Sequence, residues 1–379
     1  MNFIAMQMLT GDRAKYLGLI FAIAFASFLM SHQTAIFCGL MNRTRSQILD
    51  IADASIWVMD PKTQYGDETK ALTDQDLFRI RGVEGVQWAT PLYKGLSRAK
   101  AADGRFRAVF LLGVDDSSLA GAPRDLALGS IEALHQPESI AIDRVGFHYF
   151  FPGEPLQLGR LLDLNDRQVK IVAIVNSRAP FQNLPVVYSR FTLARNFVGR
   201  ERNLMSFVLA EPKPGFTVDD VTRRIQASTG LKALSGHQFG WDTIWWYITN
   251  TGIPINFGIT VAIALVVGTV VAGQTFYLFT VENLKQFGAL KAIGVTNLRL
   301  MGMILLQALT VGFIGYCLGM AMTAGFFEAT KNNLDLRGFR LLPEIMAGTA
   351  VTVLSIVILA SAVSIRRVMV LEPAVVFRG

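Results

Sequence analysis

Residues 281–299 read VENLKQFGALKAIGVTNLR, a charged, helix-prone stretch set between two long apolar runs. Because it carries Glu282, Lys285, Lys291 and Arg299, it cannot be buried in hydrocarbon and must lie at a membrane surface. A hairpin between two membrane helices needs only a few residues, yet this connection has 19 with few strong breakers. A short helix lying along the surface is therefore expected. Phe287, Leu290, Ile293 and Leu298 would form its apolar face, with Lys285 and Lys291 solvated. Gly288 and Gly294 each cost about 1 kcal/mol inside a helix. They make sense if something packs closely against the backbone or if the helix bends there. A solvated amphipathic linker with no partner fits the same pattern.

Working outward, the apolar runs cover 253–280, 300–327 and 342–365, and a fourth covers 16–40 without a single Lys, Arg, Asp or Glu. Each is long enough for a bilayer core, which takes about 20 helical residues. The composition agrees. The chain has 379 residues, 51% of them hydrophobic and only 17% charged, a balance that soluble domains of this size rarely reach. A cleaved signal peptide is the rival reading of 16–40, but the run is too long for one and is read as a retained span. The net charge of +7 does not imply nucleic acid, because the basic residues are scattered rather than striped.

Residues 41–250 form an ordinary water-soluble sequence. Stretches 53–59, 105–114, 156–164, 169–175 and 185–188 read as strands between Gly, Pro and Asn/Asp breakers, and 73–81 and 217–228 as Thr-capped helices. Without a strict βαβ rhythm, α+β is the expected class, in one domain or two lobes. Cys38 and Cys317 fall in or beside apolar runs, so this middle region relies on no disulfide. The histidines (His32, His135, His148 and His237) have no local metal spacing. Trp241, Trp245, Trp246 and Tyr247 precede the second span, as aromatics do at a membrane–water boundary.

The expected architecture is a bundle of four transmembrane helices with a large extracytoplasmic α+β domain between helices one and two. The segments are an N-terminus (1–15), span one (16–40), the external domain (41–250), span two (253–280), the surface segment (281–299), span three (300–327), an external loop (328–341), span four (342–365) and a tail (366–379). Four spans put both termini on one side. That side holds Arg13, Lys15, Lys285, Lys291, Arg299, Arg366, Arg367 and Arg378, against Lys331, Arg337 and Arg340 in the short loop opposite. The bias places both termini and 281–299 in the cytoplasm.

No Walker A motif occurs, the dipeptide Gly-Lys never appears, and there is no GxSxG, HExxH or CxxC. Acidic residues within the spans are nearly absent, which disfavours a proton-driven carrier. Energy for any transport must come from another chain.

At this point the sequence resembles a family. Glu282, Lys285, Phe287, Gly288, Leu290, Lys291, Ala292, Ile293 and Gly294 match the cytoplasmic signature of FtsX-like ABC transporter permeases, the group that includes MacB, LolC/LolE and DevC. That signature runs approximately Glu-Arg-Thr-Arg-Glu-Ile-Gly-x-Leu-Lys/Arg-Ala-Ile/Leu-Gly-Ala. Gln286 departs from it, standing where the family usually has Glu. One span, a large external domain and three further spans reproduce the family layout over the whole chain, most like the DevC and haem-export (HrtB-like) branches. The resemblance implies a non-enzymatic permease subunit of the bacterial inner membrane, working as a homodimer with two cytoplasmic ATPase subunits that bind ATP and Mg. It implies export or mechanotransmission, with the segment at 281–299 as the coupling helix and with membrane lipids and a periplasmic adaptor as further partners. A membrane scaffold that regulates an external enzyme is the alternative. No cofactor is expected in this chain, and the substrate is not legible in it.

Two further sites are singled out. Met30 and His32, near the outer end of span one, are candidates for contact with a substrate or haem, although a lone His at a span end is more often interfacial. Gly312, Gly315 and Gly319 are spaced for close helix packing, either within the bundle or across a permease dimer.

Overall fold

The computed structural model describes residues 2–101, 104–198, 205–331, 333 and 336–370. In chain order its elements are α1 (Asn2–Gly11), α2 (Arg13–Thr44), α3 (Ser46–Asp50), β1 (Ile56–Met59), α4 (Asp74–Arg81), β2 (Val86–Lys100), β3 (Phe106–Val114), β4 (Leu126–Gly129), β5 (Ser139–Asp143), α5 (Arg144–Phe150), β6 (Leu161–Leu164), β7 (Arg167–Val175), β8 (Val186–Arg190), α6 (Phe191–Asn196), β9 (Phe207–Pro212), α7 (Val218–Thr229), β10 (Lys232–Ser235), α8 (Gly236–Asn250), α9 (Ile253–Glu282), α10 (Leu284–Ala292), α11 (Asn297–Thr330) and α12 (Pro343–Met369). The chain divides into a helical unit, residues 1–39 with 252–379, and an extramembrane unit, residues 40–251.

In the helical unit α2, α9, α11 and α12 are long and apolar enough to cross a membrane. Pro254 and Pro343 sit in the first turns of α9 and α12, where a missing N–H costs nothing. The helices pack through small residues. A Cβ on Gly268 of α9 would come within 2.7 Å of Ala26 of α2, and one on Gly312 of α11 within 2.6 Å of Val357 of α12. Around these contacts Ile23, Met30, Phe276, Val311 and Ile356 form the core. Ser31 of α2 and Thr323 of α11 pair their buried hydroxyls at 2.7 Å. The N-terminal residues, which carry no element in the sequence reading, form α1. It is held against α11 by Gln307, whose buried amide donates to the Ala5 carbonyl at 2.7 Å.

In the extramembrane unit the described strands form one ten-stranded sheet in the order β10-β1-β9-β2-β3-β8-β5-β7-β4, with β6 pairing β2 and β7. Only β3–β8 and β5–β7 run parallel, so the α+β expectation holds. Apolar side chains pack on both faces of the sheet. One core gathers Ile56, Val109, Ile140 and Phe147, the other Trp57, Phe110, Leu112 and Tyr188. Helices α4 and α7 begin at Thr73 and Thr217, whose hydroxyls accept from the backbone N–H of Asp76 and Asp220. Strand β1 is shorter than the expected 53–59, and β6 occupies only the end of 156–164. The longest strand, β2, was not expected at all, because Pro91 and Gly95 interrupt its pattern.

The aromatic cluster before span two is corrected in part. Trp241 and Trp245 are exposed, as boundary residues would be. Trp246 and Tyr247 instead grip the loop after β1. Trp246 stacks on Tyr65 with ring centroids 3.8 Å apart and donates to Gln64 at 2.7 Å, while the Tyr247 hydroxyl lies 3.3 Å from Asp67. Burial, with Asp67 beside it, pushes the Tyr247 phenol well above its ordinary pKa.

Candidate coupling site

The segment 281–299 folds as a helix end, a short helix and a helix start. α9 stops at Asn283, whose side-chain amide donates to the Phe279 carbonyl at 2.8 Å. α10 then runs for nine residues and ends in a Schellman turn. In that turn the Val295 N–H donates to the Leu290 carbonyl and the Gly294 N–H to the Lys291 carbonyl, both at 3.1 Å. Gly294 has φ of +96°, the left-handed conformation that an L side chain rarely adopts. A Cβ there would meet nothing within 4 Å, so the backbone, not space, requires glycine. α11 begins directly after, at Asn297.

This turn corrects the expected apolar face. Phe287 is fully buried, and Leu290 packs beside it against Ala5, Met303, Ile304 and Val368, so α10 is fastened to α1, α11 and α12. Ile293 and Leu298, expected on the same face, are 83% and 78% exposed. The helix ends before Ile293, and Leu298 already belongs to α11, so neither follows the α10 stripe. Gly288 is buried, whereas Lys285, Gln286, Ala292 and Gly294 are exposed. Lys291 is half-buried rather than solvated, its ammonium donating to the Met369 carbonyl at 3.0 Å. Glu282 is paired within the chain to Lys15 at the start of α2, and Lys15 also meets Asp12 at 2.9 Å. The segment thus exposes two apolar side chains, Ile293 and Leu298, together with Lys285, Gln286 and Arg299.

The other singled-out residues fall elsewhere in the helical unit. Met30 is buried in the bundle core, while His32 sits half-buried among Phe28, Phe326 and Phe327 with ring centroids 4.6–5.8 Å away. Two residues apart on a helix they point to opposite sides, and they do not form one ligand pair. No cluster of three or more His, Cys, Asp or Glu that could hold a metal occurs among the described residues. Gly315 and Gly319 are used inside the chain. A Cβ on either would come within 2.8 Å of Ile23 or 2.6 Å of the Ala24 carbonyl on α2.

Sequence comparison places two family models on the chain: the MacB-like periplasmic core domain over residues 17–228 and the FtsX-like permease C-terminal domain over residues 258–373. No protein with a curated description matches. Among solved structures, the periplasmic region of MacB from Actinobacillus actinomycetemcomitans is 15% identical, covering 54% of this chain and 96% of its own at a TM-score of 0.37. The extracellular domain of the noncanonic ABC-type transporter YknZ from Gram-positive bacteria is 14% identical, covering 48% and 98% at a TM-score of 0.35. With the first model matching more than half of its length and the second its last three membrane helices, the chain belongs to the FtsX-like, MacB-type family of ABC transporter permeases.

Proposed function

We propose that this multi-pass membrane protein is the permease subunit of an exporter or mechanotransmission system, and that 281–299 docks on a separate cytoplasmic P-loop ATPase. The observation that carries the reading is the two-sidedness of this segment. Phe287 and Leu290 lock it to the bundle, while Ile293 and Leu298 stand out bare. Exposed apolar side chains on a segment that also exposes polar and basic ones suit a protein partner better than water. The excess of Lys and Arg on this side of the spans supports a cytoplasmic location. ATP and Mg would bind the partner, and this chain would convert its motion into displacement of α9 and the extracytoplasmic domain.

A permease homodimer completes the proposal. Only 17% of the most apolar window of α9 is buried within the chain, against 44% for α2 and α11. A second copy would cover the outward face formed by Ile259, Ile263, Val266 and Val270.

The test is purification with the P-loop ATPase that associates with this chain in its native membrane. Ile293→Asp with Leu298→Asp should leave the permease folded and lower permease-stimulated ATP hydrolysis by about tenfold, the loss expected of a central contact pair. Unchanged stimulation by the double variant would place the docking surface elsewhere.

A further inference from the structure

The extramembrane unit carries a cavity that the coupling reading leaves without a role. It has a volume of about 490 Å³ and is lined by Asp67, Lys70, Tyr93, Lys94, Leu96 and Phe110, among others. Sites for small ligands run from about 300 to 1,000 Å³. At its base lies Lys94, with only 7% of its side chain exposed. The ammonium donates to Asp67 and to the Gly66 carbonyl, each at 2.7 Å, and stands 5.8 Å from the centre of the Phe110 ring. These two bonds use two of its three donors. An ion pair so buried adds little net stability against apolar packing, and conformational specificity is one reason to retain it.

Beyond the cavity β2 and β3 continue as a ribbon with one bare face. Side chains alternate along a strand, so Leu96, Arg98 and Lys100 share the face of Lys94. The register Leu96↔Phe110, Arg98↔Ala108 and Lys100↔Phe106 puts Phe106 on the same face. The opposite face, with Ala99 and Val109, is buried in the core. On the bare face Leu96 is 47% and Phe106 61% exposed. Asp163 of β6 stands in register with Lys100, so Arg98 supplies the net positive charge of the track.

We propose that this cavity and track bind a single-chain amphiphile with a mono-anionic head, of the fatty-acid type. The head accepts from the remaining donor of Lys94 beside Lys70, which is itself paired with Glu68 at 3.1 Å, and the chain runs over Leu96 and Phe106 past Arg98, whose charge the track leaves unbalanced. Asp67 beside Lys94 repels a dianionic head, which selects a carboxylate over a phosphate monoester. The apolar residues have no counterpart in a free anion, so the chain, not charge alone, gives affinity.

The test uses the full chain in phosphatidylcholine nanodiscs and a fatty acid bearing a photoreactive diazirine. Adducts are expected on peptides covering 67–72 and 93–110, displaced by excess dodecanoate but not by inorganic phosphate or dodecyltrimethylammonium. Leu96→Glu and Arg98→Glu, both at exposed positions, should each reduce these adducts at least fivefold while labelling of the membrane helices persists. Lys94→Met should do the same where it folds. Adducts confined to the membrane helices, equal displacement by the cationic amphiphile, or displacement by phosphate alone would overturn the proposal. None of these readouts involves the ATPase, so the result is independent of the coupling assignment.

Discussion

The N–H of Val295 donates to the carbonyl of Leu290 across Gly294, closing α10 and turning the chain into α11. Val295 and Leu290 then pack on the same apolar cluster, so one turn sets both the end of the coupling segment and its grip on the bundle.

From this follows the first prediction. Gly294→Ala should cost about 1 kcal/mol through its backbone alone, since an L residue is disfavoured in the left-handed region. Gly294→Asn should cost less, because Asn tolerates that conformation and no neighbour obstructs its side chain. Accessibility of a cysteine at position 293, with ATPase stimulation alongside, measures whether the turn holds. Equal behaviour of Ala and Asn would show that the positive φ is not what glycine supplies.

The second concerns α11. Gly315→Leu and Gly319→Leu should each destabilise the chain by roughly 1–3 kcal/mol, the usual cost of overpacking. Gly302→Leu and Gly325→Leu on the same helix should be tolerated, since a Cβ at either meets nothing within 4 Å. Thermal inactivation of monomer and dimer fractions separates the two uses of the Gly-x-x-x-Gly spacing. If Gly315→Leu spared the monomer and removed only the dimer, the packing against Ile23 and Ala24 would not be its main role.

A third prediction rests on the buried pair in the extramembrane unit. Lys94→Met leaves the Asp67 carboxylate without its 2.7 Å partner and should cost about 3–5 kcal/mol. Adding Asp67→Asn should recover most of that loss, the sign of a coupled pair in a double-mutant cycle. The adjoining Tyr247 gives a pH signature. Its phenol is held above the ordinary value near 10. Stability from its neutral form is therefore complete below that pH and is lost as the pH rises further. Tyr247→Phe should flatten this alkaline decline in a series of unfolding temperatures, and an unchanged slope would remove Tyr247 from its cause.

Much of this fold was legible because bilayers and caps leave strong local signals. Four long apolar runs marked the membrane helices, and Thr73 and Thr217 marked α4 and α7 by hydroxyls that accept from the third helical residue. What stayed hidden depended on partners far away in the chain. β2 pairs with β3, β9 and β6, and that non-local pairing carries Pro91 and Gly95 within a strand. α1 is fixed by Gln307, about 300 residues later, which no window around residue 5 could reveal. At the coupling site the periodicity of Phe287, Leu290 and Ile293 suggested one continuous face. The signal that would have divided it was Gly294, whose place three residues before the next helix start suits a C-terminal stop better than a helix interior.

The last prediction concerns Glu282, the first residue of the matched signature. It sits at the end of α9, exposed, and pairs with Lys15 at the start of α2. A pair this near the surface, with Glu282 exposed and Lys15 half-buried, adds little to stability, but it ties together the ends of two membrane helices that motion of the coupling segment would load. Glu282→Lys should therefore weaken ATPase stimulation while leaving the amount of folded protein nearly unchanged. The swap of Glu282→Lys with Lys15→Glu should restore most of the stimulation if the tie within the permease is what matters. Asp12, 2.9 Å from Lys15, would then face a like charge, so recovery should be incomplete and should improve with Asp12→Asn. A swapped variant as impaired as Glu282→Lys alone would instead assign the carboxylate to the partner ATPase.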